Sequence, residues 1–328
     1  MSKDVRVGIV GATGALGGEL LRVLDQAPWR PETVVALARG ATSTSHVQYG
    51  EERVVVDDVA HQVLEDLDLV FLAVPVRDAR EVGEKVALAG VPMVDLSGVF
   101  VADGDVPRVV PWVNPEALEA GPRRIAAVPS PAGTLLSCVL GPLVRAGLAG
   151  RASATVMLPA SASGRDGIDE LSRQVTALFN GSAPPRKVFP GGLAFDLDPA
   201  VGAIGDDGWT RTERRAVEEV QGITGWQDLT VTTVGAPLFS GVGATLQLDL
   251  PRAVPVELLQ QILVDGGVKL PEDASVRQLP RPRRLEGQPF PHVGRLRVDE
   301  AGRIHMWLGM DNLRATAAVA AAVGAALL

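Results

Sequence analysis

Several residue types that particular functions require are scarce in this chain of 328 residues. It has one cysteine, Cys138, which excludes a disulfide within the chain and suits a reducing compartment. Its four histidines, His46, His61, His292 and His305, lack the i, i+3 or i, i+4 spacing of paired ligands on one helix. We therefore expect no metal site.

Basic charge is also in deficit, with 39 acidic against 31 basic residues and a pI near 5.1. Binding to nucleic acid or to an anionic membrane needs a concentrated basic face, so neither partner is expected. The local exception is a proline-interrupted stretch that carries Arg277, Arg281, Arg283 and Arg284. We interpret it as a solvated loop, with an anion site as the alternative.

Long apolar runs are missing as well. The opening residues MSKDVRVGIVG enter a predicted strand without the apolar core of a signal peptide. The most hydrophobic ending, ATAAVAAAVGAALL, has 14 residues and is too short to span a bilayer. We expect a cytoplasmic protein without a membrane anchor, whose last segment is a packed helix.

Short apolar runs alternate with helical patterns through the first part of the chain, which predicts a parallel sheet covered on both faces. The strands predicted there cover residues 5–10, 33–38, 67–74, 92–95 and 124–128. Longer alternating segments follow, at 153–158, 228–234, 244–250, 295–298 and 304–309. The fold class is therefore α/β, with a Rossmann-type parallel-sheet domain at 1–130 plus 311–328. A second, α+β domain with a largely antiparallel sheet is predicted at 131–310.

A glycine-rich turn joins the first predicted strand to the first helix. Gly11, Gly14 and Gly17 in GATGALG follow the G-x-x-G-x-x-G pattern, a relative of the dinucleotide fingerprint. Glycines there allow a tight turn, close approach of a pyrophosphate and close packing of helix on sheet. A purely structural turn is the alternative. The cofactor contacts predicted around the turn are Gly11, Thr13, Gly14, Ala15 and Leu16.

The end of the second strand bears on the choice of cofactor. Sites that prefer NAD usually place an acid there to hold the ribose hydroxyls. This chain has LARGATSTS instead, in which Arg39, Thr42 and Ser43 are candidates to contact a 2′-phosphate. The segment favours NADP(H) over NAD, although Arg39 as an ordinary surface arginine is the alternative.

Taken in order, further blocks give the chain a family resemblance. GATGALG, DLDLVFLAV, VDLSGVF, DVPRVVPWVNPEAL, ASASGRDGIDEL, FPGGLAFDL and DNLRATAA resemble the aspartate-semialdehyde dehydrogenase family across nearly the whole chain. The resemblance implies a homodimer, a small-molecule ligand and an NADP-dependent oxidoreductase of amino-acid biosynthesis that works through a cysteine thioester. It also implies that Ser161, Gly164 and Asn312 contact the cofactor.

The chain departs from the family pattern where the chemistry is carried. The resemblance places Pro131 at the nucleophilic cysteine, Leu158 at the positioning glutamine, Gly235 at the substrate arginine and Val242 at the acid/base histidine. Val101 occupies the position at which the family has the arginine that binds the acyl phosphate. An acid/base group contributes roughly 10² to 10⁴ in rate and a covalent nucleophile on the order of 10⁶, so we expect catalysis to be lost. These departures resemble the Usg-like paralogues of the family.

Other polar residues have two interpretations each. Ser130 precedes a proline at a helix start and is interpreted as a cap rather than a nucleophile. Cys138 lies inside an apolar stretch and is interpreted as a core residue. Structural bonds and ligand contact both stay open for four groups: Ser161 with Gly164, Asn114 with Pro115, Asp311 with Asn312 and Arg314, and Glu213 with Arg215.

Three functions remain. The first is a catalytically silent, dimeric homologue in which cofactor binding is itself in question. The second is an active NAD(P)-dependent oxidoreductase on another carbonyl substrate, with direct hydride transfer. The third is a non-catalytic partner of an active paralogue.

Overall fold

The computed structural model describes residues 5–41, 44–60, 62–119, 124–273 and 275–328, which divide into two compact units. The first unit comprises the chain up to Pro129 together with Thr316–Leu328, and the second is Ser130–Ala315. None of the helices in these ranges is long and apolar enough to cross a membrane.

The described strands of the first unit form one seven-stranded sheet. Their bounds are β1 Arg6–Val10, β2 Thr33–Ala38, β3 His46–Tyr49, β4 Glu52–Asp58, β5 Leu69–Leu72, β6 Met93–Asp95 and β7 Ile125–Ala127. The strand order is β3-β4-β2-β1-β5-β6-β7, and only the β3–β4 pair is antiparallel. The predicted parallel-sheet architecture is confirmed.

The apolar runs of this unit are buried by helices. All four residues of β5 are buried, as are the last four of β1. Helix α1, Ala15–Asp25, buries Leu20, Leu21 and Leu24 at no more than 1% exposure each. A fully buried leucine contributes about 1.5–3 kcal/mol, so this stripe accounts for the position of α1. Helix α2, Val76–Leu88, is amphipathic in the same way.

The hairpin of β3 and β4 is absent from the strands predicted above. It lies at the edge of the sheet, where most of its side chains stay exposed or half-buried, so its sequence carries little apolar signal. Buried Tyr49 anchors it, because its hydroxyl donates to the Pro31 carbonyl at 2.8 Å.

The second unit holds a five-stranded sheet among its described residues. Its strands are β8 Arg151–Leu158, β9 Asp228–Gly235, β10 Val242–Asp249, β11 His292–Val298 and β12 Ile304–Met310. The order is β11-β12-β10-β8-β9, antiparallel except for β8 with β9, so the predicted largely antiparallel sheet is confirmed. The helices are α3 Pro131–Arg145, α4 Gly164–Phe179, α5 Arg211–Thr224, α6 Val256–Asp265 and α7 Asn312–Leu327, the last of which continues into the first unit.

Helix α3 is the centre of the second core. Every residue from Ala132 to Leu143 is buried, and the cluster that α3 joins includes the fully buried Trp226. Cys138, at 1% exposure, is the core residue that the sequence predicts.

A buried carboxylate holds the long segment after α4. Glu170 accepts the backbone N–H groups of Lys187 at 2.9 Å and of Val188 and Phe189 at 2.8 Å. Gln174 adds a side-chain N–H at 3.3 Å. Burial alone raises the pKa of Glu170, but these donors outweigh it and leave the pKa below its usual range.

Replacing Glu170 by glutamine therefore has a predictable cost. Hydrogen bonds to a charged group contribute about 1.5–3 kcal/mol, so Glu170→Gln should lower the free energy of unfolding by about 2 kcal/mol at pH 7. Because the folded-state pKa is depressed, the wild-type advantage is present above the unfolded pKa of about 4.3 and is lost as the pH falls through the folded-state value. Urea unfolding at pH 7 and below pH 4 measures both effects. Asp169→Asn, which removes the same charge one residue earlier, is the control and should change little; equal loss in both variants would contradict the prediction.

Candidate functional site

The glycine turn after β1 is too crowded for side chains. Gly11 has φ of 93°, and a Cβ added to it would lie 2.4 Å from the carbonyl oxygen of Ala73. A Cβ on Gly17 would lie 2.2 Å from the Gly11 carbonyl oxygen, while the Gly11 N–H donates to Leu37 at 2.8 Å. Both glycines are thus required by close backbone approach.

The start of α1 offers backbone donors at this turn. Gly14 is the N-cap and makes no side-chain capping bond, and the first turn has no acidic residue. Ala15 and Leu16 open the helix, and the first N–H groups of a helix lack acceptors within it. Thr13 is exposed beside them. The turn lies where the strand order reverses, since β1 has β2 on one side and β5 on the other, which is where open α/β sheets bind dinucleotides.

Arg39, just after β2, is shared between two carboxylates of α2. Its guanidinium lies 3.3 Å from Asp78 and 3.6 Å from Glu81, and its side chain is 59% exposed. A 2′-phosphate at this place would share the guanidinium with both acids. Thr42 and Ser43, the other candidates for that phosphate, lie outside the described residues.

In the second unit the structure brings two of the predicted cofactor residues together. The Asn312 side-chain amide donates to Ser161 Oγ at 3.0 Å, and its oxygen accepts the Gly241 N–H at 2.8 Å. Both side chains are buried. Gly164, with φ of 70°, begins α4 and has open space where a Cβ would be.

Of the five positions that the resemblance assigns to the family's chemistry, four lie in the second unit and Val101 lies in the first. Leu158 pairs with Gly235 across β8 and β9, and the residue after Val242 pairs with the residue before Leu158. Val242 is fully buried and Leu158 is 5% exposed, and both join the hydrophobic cluster that contains Ala132, next to Pro131. The place is thus a strand-end junction with apolar side chains.

Gly235 is closed off by a second chain segment. Asp198 exchanges two backbone hydrogen bonds with it, at 2.9 and 2.8 Å. A Cβ on Gly235 would lie 2.9 Å from the Asp198 Cβ. A long side chain at position 235 would therefore require this segment to move.

The N-terminus of α3 carries a buried network that sequence reasoning missed. Ser130 caps the helix, as the sequence predicts, by accepting the Gly133 N–H at 3.1 Å. Its hydroxyl donates to the carboxylate of Glu219 at 2.5 Å, and its backbone N–H donates to the same group. Glu219 is fully buried and also accepts from Arg215 at 2.7 Å. A Cβ on Gly133 would lie 2.2 Å from Glu219, so only glycine leaves room for the carboxylate.

Glu213, a second acid of α5, is also bound by the backbone. One of its oxygens accepts the Thr210 N–H at 2.8 Å as part of a capping box, and the other accepts the Thr233 N–H at 3.0 Å. Asp311 similarly accepts the Gly287 N–H at 2.8 Å. These polar groups, which the resemblance left open between structure and ligand, make structural bonds.

The arginine-rich stretch forms an exposed segment around a short 3₁₀ turn, Pro282–Leu285. Arg284 donates to the carbonyl of Arg277, and both line a cavity of about 190 Å³ with His292. Burial and the charge of Lys269 hold the pKa of His292 below its usual range, so the cavity gains no further positive charge near neutral pH. Among the described residues, no group of three or more histidine, cysteine or acidic side chains could hold a metal ion.

Two family models match the chain. The NAD binding domain of semialdehyde dehydrogenases matches residues 6–121, and the dimerisation domain of semialdehyde dehydrogenases matches residues 140–315. The first covers the glycine turn, and the second covers Leu158, Gly235 and Val242.

Individual proteins match over their full length. A USG-1 protein homolog of Azotobacter vinelandii is 32% identical over 343 aligned residues, with 100% of this chain and 98% of the relative covered. An aspartate-semialdehyde dehydrogenase of Synechocystis is 29% identical, with the same coverage. The crystal structure of aspartate semialdehyde dehydrogenase II complexed with ASA from Vibrio cholerae matches with a TM-score of 0.91 at 28% identity, covering 99% of this chain and 98% of that one.

The fold, the glycine turn and the order of the sequence blocks agree with these matches. The dimerisation-domain model alone spans more than half of the chain. This chain therefore belongs to the semialdehyde dehydrogenase family, among relatives named both as aspartate-semialdehyde dehydrogenases and as USG-1 protein homologues.

Proposed function

We propose that this chain is a catalytically silent homologue of aspartate-semialdehyde dehydrogenase that keeps the fold without the reaction. The observation that carries the proposal is the strand-end junction of the second unit. Pro131, Leu158, Gly235 and Val242 provide no group there that can attack a carbonyl, move a proton or hold a carboxylate. Two of the four belong to the hydrophobic cluster.

The polar groups nearest in the chain do not replace the missing ones. Ser130 Oγ donates its proton to Glu219 while accepting the Gly133 N–H, so a nucleophilic role would cost α3 its cap. Glu219 is bound by Ser130 and Arg215. Cys138 is buried in the core. Without a thiolate and a base, the rate falls by many orders of magnitude.

The wild-type protein should not reduce NADP with aspartyl semialdehyde and inorganic phosphate. Absorbance at 340 nm measures the reaction, with the Vibrio cholerae enzyme as the positive control. We expect turnover below about 0.01 per second, a thousandth of a typical enzyme rate of roughly 10 per second. Pro131→Cys should leave the rate below the same limit, because Leu158, Gly235 and Val242 still lack the base and the substrate contacts. Wild-type turnover above the limit would exclude the proposal.

We propose further that the first unit binds NADP(H) at the glycine turn. The support is the crowding at Gly11 and Gly17, the uncapped start of α1 and the match to an NAD binding domain. Arg39, rather than an acid, follows β2, which favours the 2′-phosphate form. The second candidate function, direct hydride transfer to another carbonyl, depends on the same binding and is excluded if NADPH does not bind.

Two neighbouring glycines test the cofactor site. Gly17→Ala pushes a methyl group to 2.2 Å from the Gly11 carbonyl, so the turn must shift; we expect NADPH affinity to fall at least about tenfold and stability to fall by about 1–3 kcal/mol. Gly18→Ala meets nothing within 4 Å and should stabilise the helix by up to about 1 kcal/mol while keeping NADPH affinity. Titration of NADPH fluorescence, with urea unfolding in parallel, measures both. Equal NADPH affinity in the two variants would contradict this site.

We also propose that the protein is a cytoplasmic homodimer formed through its second unit. The match to a dimerisation domain supports a dimer, and so do exposed apolar side chains that a monomer would leave in water. Phe179 and Phe195 are 78% and 68% exposed and stack edge to face at 5.7 Å, and Ile204 is 62% exposed.

Phe179→Asp should convert the dimer into a monomer. The side chain is exposed, and the ring contact with Phe195 that it loses is worth about 0.5–1.5 kcal/mol, so the fold of one subunit should lose no more than about 1.5 kcal/mol. Light scattering after size-exclusion chromatography should show twice 34.3 kDa for wild type and 34.3 kDa for the variant. Val276→Asp, on a different exposed segment of the same unit, is the control and should stay dimeric. A monomeric wild type that dimerises with an active paralogue would favour the partner function instead.

A further inference from the structure

Two arginines flank the 3₁₀ turn Val99–Ala102 of the first unit, and they differ in how they are paired. Arg80 donates to Asp103 at 3.1 Å and to the Val99 carbonyl at 2.8 Å. Its guanidinium also lies over the Phe100 ring, 4.7 Å from the ring centre. The charge of Arg80 is thus neutralised within the protein.

Arg108 is not neutralised in this way. Its Nη2 donates to the Val101 carbonyl at 3.0 Å, and its Nε is buried without an acceptor. Within the described part of the chain, Arg108 forms no ion pair and no other side-chain hydrogen bond. A buried donor without a hydrogen bond costs about 1–3 kcal/mol of stability. A contribution to stability alone therefore does not explain why an arginine is placed here. The Nη1 of Arg108 likewise makes no hydrogen bond to a described residue.

The backbone around Arg108 is fixed from both sides. Its segment forms a bridge to β7, in which the Val109 N–H donates to Ala127 at 3.0 Å, and Asn114 donates to the Arg108 carbonyl at 2.8 Å. On the other side, fully buried Asp95 accepts the N–H groups that precede the 3₁₀ turn. The backbone of Arg108 and the turn that carries its Val101 acceptor are therefore both held by hydrogen bonds.

Arg108 lies on the side of the sheet at which the parallel strands end, which is the side where open α/β sheets bind ligands. Arg108 pairs with the last residue of β7, and the 3₁₀ turn follows β6, so both lie at the carboxyl edge of the sheet. The glycine turn follows β1 at the same edge. Three strand spacings separate β1 from β7, which is about 14 Å. A ligand group at Arg108 is thus distinct from a phosphate at the glycine turn.

We propose that Arg108 binds the oxyanion of a small organic ligand, a carboxylate or a phosphate, at this edge of the first unit. Nη1 and the second N–H of Nη2 can pair with a planar or tetrahedral oxyanion. The chain has an aliphatic side chain at Val101, and the guanidinium of Arg108 reaches the carbonyl of that residue. The guanidinium of Arg108 thereby brings a positive charge to the turn Val99–Ala102. This inference names a ligand class for the proposed silent homologue and depends on that proposal only for the absence of turnover.

The test follows the melting temperature of the whole protein at constant ionic strength. Inorganic phosphate and succinate are the two probes, and succinamide is the neutral control. We expect at least one anion to raise Tm saturably by about 2 °C or more, and succinamide to have no effect. The anion that acts tells a phosphate ligand from a carboxylate ligand.

Substitutions show whether the anion-dependent rise in Tm depends on Arg108. Arg108→Leu should keep the Tm of the unliganded protein, because it also removes the buried unpaired Nε, but should abolish the anion-dependent rise. Arg108→Lys keeps the charge but loses the planar pair of N–H donors, and should lower the affinity for the anion at least about tenfold. Arg53→Leu, an exposed arginine of the same unit, should leave the rise unchanged.

Two results would overturn the proposal: no saturable rise in wild type, or the same rise in Arg108→Leu. A merely structural arginine would lower the Tm of the unliganded Arg108→Leu protein and leave the anion response as it was, which also counts against the proposal. NADPH binding and turnover are measured separately. If NADPH binds without turnover and neither anion raises Tm, only the proposed Arg108 site is refuted. If the protein turns over substrate and the anions still bind, only the proposed loss of catalysis is refuted.

Discussion

The buried carboxylate of Glu219 determines how the second unit is built around α3. It joins α5 to the first turn of α3 by accepting from the backbone and side chain of Ser130, while Arg215 balances its charge. Its position forces glycine at residue 133. A buried carboxylate that lost these partners would cost several kcal/mol, so α3 and α5 are fixed relative to each other. The strand-end junction at Leu158, Gly235 and Val242 is assembled on that frame.

This frame explains how the proposed silent homologue would keep its fold without the family's chemistry. Glu213, Asn312 and Glu219 satisfy buried backbone groups, and removing any of them leaves donors without acceptors. A nucleophile or a base has no such structural partner, and an apolar residue in its place adds to the core. Val242 and Leu158 do so, since both join the hydrophobic cluster. Loss of activity is thus nearly free of cost to stability, whereas loss of the polar frame is not.

The same distinction separates what the sequence predicts from what it does not. Strands that are apolar throughout, such as β1 and β5, are predictable because burial on both faces leaves a local pattern. The hairpin of β3 and β4 escapes prediction because edge strands need few apolar residues. Ser130 is predictable as a cap from the proline beside it, but its bond to Glu219 joins residues 89 positions apart and leaves no local signal. Arg108 is hidden for another reason: Val101 is only seven positions away, but the lack of an acidic partner among the described residues becomes visible only in the folded chain.

Arg39 and Arg108 of the first unit differ in a way that bears on anion binding. Arg39 is already paired with Asp78 and Glu81, so an anion there must compete with protein carboxylates. Arg108 has no such competitor among the described residues, so an anion there does not have to displace a protein carboxylate. Interactions that are equal in the ground state and the transition state give affinity without rate. The proposed anion site of the first unit and the lack of a nucleophile at the junction of the second unit therefore both fit the proposed homologue, which binds a ligand and does not convert it.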